Sequence, residues 1–222
     1  MLTMTARRKP DRHVGRHQLP PLAAEDYVCE ACALVYSDIT IEHAVSVIDG
    51  LPAAIREAVS VIPPQALSQR PSPHAWSVAE YVCHLRDVFI TYTIRLHRTR
   101  PEDQPALEPM LSDLRARRFR YTDCDPIAML DELASATTGF REEVTDTKER
   151  DWDRTAARLP GEQRTARWLV RQAMHEGVHH LADIRRIAQK TTEATDCTGR
   201  WPVDNLSPKV AVQAMAQGLA RP

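Results

Sequence analysis

The most distinctive residues of this chain are two histidines, His175 and His179, in a Pro-free stretch whose apolar residues recur at helical spacing. They are four residues apart, so both imidazoles would lie on one face of the helix, a single turn from each other. Two neutral imidazoles at that separation suit a borderline transition metal such as zinc or nickel. The alternative is a helix that carries two surface histidines without binding anything.

A third histidine, His84, lies on a second predicted helix whose start is well specified. Ser77 and Glu80 form a capping-box pattern, in which each side chain satisfies a backbone donor that the helix leaves unpaired. His84 borders the apolar stripe of this helix, where a single histidine is more often hydrogen-bonded at the edge of the core than a metal ligand. Combined with His175 and His179, however, it would complete three nitrogen ligands with an open position, the pattern of a catalytic zinc site.

Cys29 and Cys32 form a Cys-x-x-Cys pair near the N-terminus. Such a pair supplies half of a structural zinc site or a redox dithiol. No second Cys-x-x-Cys exists in the chain, so any further ligands would have to be brought close by the fold. A redox role would require a βαβ context, which is not predicted nearby. We expect one metal at the three-histidine site and keep Cys29 and Cys32 as a possible second site.

His175 to His179 also satisfies the His-Glu-x-x-His motif of zinc metalloproteases and hydrolases, in which Glu176 would be the general base. The motif is short, and no strands are predicted that could line a protease cleft. In a helical bundle Glu176 would lie one residue away from the ligand face, without binding the metal itself. A third interpretation is a non-enzymatic metal-binding or stress-related binding protein, because no nucleophile stands out.

Composition narrows the class of protein. The 29 basic and 30 acidic side chains nearly cancel, which gives no electrostatic reason to expect nucleic acid or a membrane as a partner. Only 7 glycines and 5% aromatic residues favour an all-α protein. The five cysteines occur without a predicted signal peptide or a long apolar run, so we expect reduced thiols in the cytoplasm.

Four predicted helices position these residues. They run from Thr40 to about Ile62 with a break at Gly50-Leu51-Pro52, from Ser77 past Leu96, from Asp125 to about Thr147, and from Arg167 to about Thr191. A long crossover from Pro101 to about Cys124 and a loop from Lys148 to Arg164 connect them. The sequence therefore predicts a four-helix bundle over 27–190, preceded by a disordered basic arm (1–26) and followed by a tail with a short helix (191–222).

Two motifs in this order and spacing resemble the DinB/YfiT-like family of metal-binding bundles, most closely its actinobacterial-type members. They are Trp76-Ser-Val-x-Glu80-x-x-x-His84-Leu-x-Asp87 and His175-Glu-x-x-His179-His180-Leu. The resemblance covers roughly Tyr27 to Ile187, and actinobacterial-type members also carry a Cys-x-x-Cys near the N-terminus. It implies that His84, His175 and His179 bind a divalent metal, zinc or nickel.

The same resemblance bears on function. Some relatives are transferases or isomerases that use a low-molecular-weight thiol, mycothiol or bacillithiol, and act on small-molecule substrates. We therefore expect a metal-dependent thiol transferase or isomerase, with a homodimer as a possible assembly. Where the family often has Gly-Gln after the last ligand, this chain has Ala182-Asp183.

Overall fold

The computed structural model describes residues 21–159 and 161–195, and for 193–195 it describes the backbone alone. Four long helices and one short helix account for most of these residues. They are α1 (Ile41–Ser60), α2 (Val78–Thr99), α3 (Ser112–Arg118), α4 (Pro126–Asp146) and α5 (Ala166–Thr195). Helices α1 and α2 each pack against both α4 and α5. The predicted all-α bundle is confirmed, with the short α3 lying in the long crossover between α2 and α4.

The core lies where the apolar stripes of the four long helices meet. Its largest fully buried side chains include Ile48, Leu51, Ile55, Leu85, Phe89, Leu96, Leu130, Leu133, Phe140 and Trp168. Burying each such side chain contributes roughly 1.5–3 kcal/mol, which gives the bundle a rigid frame for side chains that project between its helices.

Helix α1 is continuous, so the break predicted at Gly50-Leu51-Pro52 is wrong. Pro52 lies inside the helix, where its missing N–H removes one backbone hydrogen bond. Leu51 and Ile55 on either side are fully buried. The burial of these two side chains stabilises a continuous helix, although local sequence preferences would place a helix boundary at Pro52.

The predicted start of α2 is confirmed. The Ser77 hydroxyl accepts a hydrogen bond from the Glu80 amide at 3.3 Å, and the Glu80 carboxylate accepts one from the Ser77 amide at 2.8 Å. Arg70 donates through Nε to the same carboxylate at 2.9 Å. The first turns of α2, which carry His84, are therefore fixed in position.

Two short hairpins accompany the helices. Strands β1 (Val28–Cys29) and β2 (Leu34–Val35) pair in an antiparallel manner near the N-terminus. Strands β3 (Thr155–Ala157) and β4 (Gln163–Thr165) form a second antiparallel pair directly before α5. This second hairpin lies in the stretch that the sequence predicted as a loop, and its Ala157 amide donates to the carbonyl of Pro105 at 3.0 Å.

The described part of the N-terminal segment is attached to the start of α5. Arg164 donates through Nη2 to the Leu22 carbonyl at 2.8 Å. The indole N–H of Trp168 donates to the Ala24 carbonyl at 3.2 Å. These bonds hold residues 22–24 against the bundle and lead the chain towards the β1–β2 hairpin.

Most of the arm predicted for 1–26 and most of the tail predicted for 191–222, with its short helix, lie outside the described residues. Within 21–159 and 161–195, no helix combines the length and the apolar character that a membrane span requires.

Candidate metal centres

Helix α5 presents two pairs of potential ligands, each pair spaced by four residues. His175 and His179 form one pair, and Glu176 and His180 form the other. Because the pairs are offset by one residue, they point in directions about 100° apart around the helix axis. Each pair meets different partners, and the structure gathers the ligands into two separate clusters.

The first cluster, which we call the histidine–carboxylate centre, consists of His84 from α2 with Glu176 and His180 from α5. The potential ligand atoms of the three residues all lie within 4.8 Å of one another. Glu176 Oε2 lies 3.5 Å from His84 Nε2 and 3.4 Å from His180 Nε2. Adjacent nitrogen and oxygen ligands of a tetrahedral zinc ion are separated by about 3.4 Å, so the donors are already spaced for a metal.

Further hydrogen bonds fix the orientation of these donors. The His180 Nδ1–H group donates to Asp183 Oδ2 at 2.9 Å, which leaves Nε2 directed at Glu176. Arg186 donates to the other oxygen of Asp183 at 2.7 Å. The Gln172 amide donates to Glu176 Oε1 at 2.8 Å. A carboxylate behind a histidine ligand is the usual means of fixing its tautomer and increasing its basicity.

The charges of this centre also favour a cation. Burial opposes the charged form of His180, but hydrogen bonds to Asp183 and Glu176 outweigh it and raise the pKa of His180 to about 9. Burial likewise opposes ionised Glu176, yet His180 and His84 hold the pKa of its carboxyl well below the usual range. The two carboxylates thus retain a proton on the imidazole between them, and a divalent cation would take the place of that proton.

Aromatic side chains and a cleft flank the histidine–carboxylate centre. The Trp76 ring lies 5.0 Å from the ring of His84, and the Tyr81 ring lies 5.1 Å from that of His180, measured between centroids. Trp76 also lines a cleft of about 620 Å³ together with Arg70, His74, Asp113, Arg117 and Arg120. The indole ring of Trp76 thus lies between the cleft and the centre. The arginine side chains of the cleft make its lining partly cationic.

The second cluster, the thiol–histidine centre, joins Cys29 and Cys32 of the β1–β2 hairpin to His175 and His179. The four potential ligand atoms again lie within 4.8 Å of one another. His179 Nδ1 lies 3.2 Å from the sulfur of Cys32 and 3.9 Å from that of Cys29. Both cysteines and His175 are buried, and both thiols are free of disulfide bonds.

A hydrogen-bond chain fixes the tautomer of His175. The Tyr36 hydroxyl donates to Gln172 Oε1 at 2.7 Å, so its oxygen accepts the Nδ1–H group of His175 at 2.8 Å. Burial lowers the pKa of His175 to about 4, which keeps the ring neutral at physiological pH. Its Nε2 is buried and has no hydrogen-bond partner among the described residues, which leaves a lone pair available inside the protein.

The structure therefore divides the predicted three-histidine set. His84 lies with Glu176 and His180, whereas His175 and His179 lie with the two cysteines. Glu176 was expected to lie off the ligand face. Its Oε2 atom lies 3.5 Å from Nε2 of His84, a separation at which both atoms could bind the same metal ion. Which of these residues bind a metal stays a prediction.

A signal for the different grouping was present in the sequence. Glu176 and His180 are also four residues apart, and Asp183 follows His180 by three, so all three share one helix face. The departure from the family's usual Gly-Gln at Ala182-Asp183 thus supplies the hydrogen-bond partner of His180. By spacing alone, Glu176 and His180 are as suitable a pair of metal ligands as His175 and His179.

Comparison with known proteins places the chain in a family. The family model of the DinB superfamily matches residues 48–184, the segment that contains His84 and both ligand pairs of α5. The chain belongs to the DinB superfamily. This confirms the resemblance inferred from the two sequence motifs. The sequence has no significant match among curated proteins.

Solved structures share the fold of this DinB-superfamily protein. YfiT from Bacillus subtilis, described as a probable metal-dependent hydrolase with an unusual four-helix bundle topology, has a TM-score of 0.63 and 20% identity, covering 70% of this chain and 91% of its own. A mycothiol-dependent maleylpyruvate isomerase has a TM-score of 0.54 and 14% identity, covering 72% and 70%. A mutant of that isomerase gives a TM-score of 0.55 with 11% identity and the same coverage. At sequence identities of 20% or less, these structural similarities establish a shared fold and nothing more.

Proposed function

We propose that this protein is a metal-dependent enzyme of thiol chemistry, a transferase or isomerase, whose reaction takes place at the histidine–carboxylate centre. The observation that carries the proposal is the convergence of three donors, His84, Glu176 and His180, at metal-ligand spacing. The side chains of Glu176 and His180 remain 28% and 17% exposed. Three protein ligands with access from outside leave a fourth position for a substrate or cosubstrate, as catalytic zinc sites do.

The chain's own residues would bind, orient and enclose the reactants. A divalent ion, once bound by the three donors, would favour the thiolate over the thiol of a cosubstrate and so supply a nucleophile at neutral pH. Asp183 holds His180 in the required tautomer, and Gln172 holds the orientation of Glu176. Trp76 and Tyr81 provide an apolar wall that limits the access of water to the nucleophile.

Thiol chemistry fits the site better than hydrolysis. Both carboxylates at the centre are engaged, Glu176 towards the metal position and Asp183 with His180 and Arg186. A hydrolase would use a carboxylate as the base for its water. A thiol is a much stronger acid than water, so a thiol bound to the metal would lose its proton to solvent without such a base.

The cleft beside Trp76 would receive the rest of the cosubstrate. Arg117 and Arg120 line it and are exposed. Arg120 already pairs with Asp123, so the guanidinium group of Arg117 is the better candidate to bind a carboxylate of the cosubstrate. Arg171 and Arg186 of α5, which flank the two ligand pairs in the sequence, are engaged elsewhere. Arg171 donates to the carbonyl of Ile39 at 2.9 Å, and Arg186 pairs with Asp183.

The arrangement does not favour the zinc protease alternative. In that mechanism His175 and His179 would bind a zinc ion whose remaining position is taken by water, with Glu176 as the base. Here the two histidines face the thiols of Cys29 and Cys32, and the Glu176 carboxylate lies with His84 and His180 instead.

The test uses cobalt-substituted protein in which both Cys29 and Cys32 are replaced by serine, so that no cysteine of the hairpin can bind the ion. Addition of mycothiol or bacillithiol should produce a sulfur-to-cobalt charge-transfer band, and His84→Ala in the same background should abolish it. The metal-loaded wild type should also transfer the thiol to an electrophile such as an activated aryl halide. Metal-dependent ester or amide hydrolysis without any thiol-induced band would overturn the proposal. Metal binding with neither band nor turnover would favour a binding protein.

A further inference from the structure

We propose that Cys29, Cys32, His175 and His179 form a second metal site, a closed structural zinc site that fastens the β1–β2 hairpin to α5. It is separate from the histidine–carboxylate centre and does not depend on the proposed enzymatic function. Two thiolates and two imidazoles are the ligand set of many structural zinc sites. Half of this set is local to the hairpin, and the other half is supplied by the helix on which the hairpin packs.

The first argument is the spacing of the donors. In a tetrahedral zinc site, a sulfur and a nitrogen ligand are separated by about 3.6 Å. The distances from His179 Nδ1 to the two sulfurs, 3.2 Å and 3.9 Å, lie on either side of this value. All four donor atoms lie within 4.8 Å of one another, so small side-chain rotations would complete the tetrahedron.

The second argument is the unsatisfied nitrogen of His175. Tyr36 accepts the Nδ1–H group, which leaves Nε2 as a lone pair on a side chain only 8% exposed. A buried acceptor without a partner costs roughly 1–3 kcal/mol. Nε2 is also the atom with which His175 can join the thiol cluster, since Nδ1 is already occupied. A metal ion at this position would use the lone pair, and Tyr36 would then be the hydrogen-bond partner that orients the ligand.

The third argument is the weakness of the hairpin without such a site. Its strands are two residues each, far below the length at which a two-stranded hairpin is stable in water. The turn also places Ala33 at a φ of 53°, a conformation that costs a non-glycine residue roughly 1–2 kcal/mol. A zinc ion bound by both cysteines of the hairpin would hold this segment closed and offset the strain.

Enclosure indicates a structural role. Cys29, Cys32 and His175 are all buried, and four protein donors leave no position for a substrate. The site also supports the other centre, because Tyr36 bonds to Gln172, which in turn donates to Glu176. Zinc at the thiol–histidine centre would thus help to keep the carboxylate of the first centre in place.

The experiment measures metal content and the cobalt spectrum of the full chain, purified under reducing conditions without a tag. Wild type should contain two zinc ions per chain, and its cobalt form should show a sulfur-to-cobalt charge-transfer band without any added thiol. Cys29→Ser/Cys32→Ser should lose one ion and the band. Cys124→Ser, which changes a cysteine outside the cluster, should keep both.

Two further variants separate the sites. His84→Ala/His180→Ala should lose one ion but keep the band, because the sulfur ligands are untouched. His175→Ala should weaken the band. A folded wild type that shows no band, or one in which mass spectrometry finds a Cys29–Cys32 disulfide in metal-replete protein, would overturn the proposal whatever the variants do. Since this band requires no added thiol, its absence is distinguishable from failure of the proposed enzymatic activity.

Discussion

The two candidate centres lie on adjacent faces of the same helix, yet they differ in what the rest of the chain brings to them. At the thiol–histidine centre a hairpin from the N-terminal segment covers the α5 face with two cysteines, and three of the four donor residues are buried. At the histidine–carboxylate centre α2 contributes only His84, and the α5 side chains remain partly exposed. One helix pattern can therefore serve both structural stability and chemistry, depending on which element packs against each face.

The largest expected difference between the centres is in stability. Cys29→Ser/Cys32→Ser should lower the free energy of unfolding by about 3–5 kcal/mol, since folding is coupled to binding at a closed site. For a chain of this size that corresponds to a fall in Tm of roughly 10 °C. His84→Ala should lower Tm by much less. Calorimetry of the metal-replete proteins measures both, and equal losses would remove the distinction between a structural and an open centre.

A matched pair of variants tests the hydrogen bonds behind each centre. Asp183→Asn should weaken metal binding at the histidine–carboxylate centre by about 10–100-fold, because the neutral amide supports His180 less well. Tyr36→Phe should weaken binding at the thiol–histidine centre, because His175 loses its partner. Competition with a chromophoric chelator measures both affinities. If either variant affected only the opposite centre, the assignment of ligands would be wrong.

The contact that brings α5 against α1 can be tested at Gly177. A Cβ atom there would lie 2.3 Å from Cδ1 of Leu51, which is fully buried, so Gly177→Ala should destabilise the fold by about 1–3 kcal/mol. A Cβ atom at Gly139 in α4 would meet no other side chain within 4 Å, so Gly139→Ala should stabilise the fold by up to about 1 kcal/mol. Urea denaturation of the two variants gives the comparison. Equal stabilisation by both would show that α1 can yield at this contact.

The smallest expected effect concerns Asp87, a carboxylate of α2 that belongs to neither centre. Burial opposes ionised Asp87, but hydrogen bonds from Tyr121 and Arg115 and the nearby charge of Arg86 outweigh it and lower the pKa of the Asp87 carboxyl. The stabilisation is therefore complete above the unfolded-state pKa of about 4 and is lost as the pH falls through the lowered folded-state pKa.

Asp87→Asn should cost on the order of 1 kcal/mol at pH 7, and the variant's stability should fall less steeply than that of wild type as the solution is acidified. Unfolding curves at pH 7 and at successive acidic pH values measure this. Parallel pH profiles for the two proteins would show that Asp87 does not carry the effect.

Much of the fold followed from local rules. The capping box at Ser77 and Glu80, and Asp125 with Pro126 at the start of α4, are confirmed because caps act within one helical turn. The break near Pro52 was wrong because the burial of Leu51 and Ile55 outweighs a local preference. The hairpin before α5 was not predicted, because strands of three residues are too short to show an alternation of apolar and polar side chains.

The sequence by itself determined that α5 is a helix and that His175, Glu176, His179 and His180 share it, since the helical period is a local property. Only the tertiary structure decided which partners each pair meets. Cys29 approaches His179 across a separation of 150 residues, and His84 approaches Glu176 across 92. Such contacts depend on how whole elements pack, and the spacing of four residues is the same for both pairs.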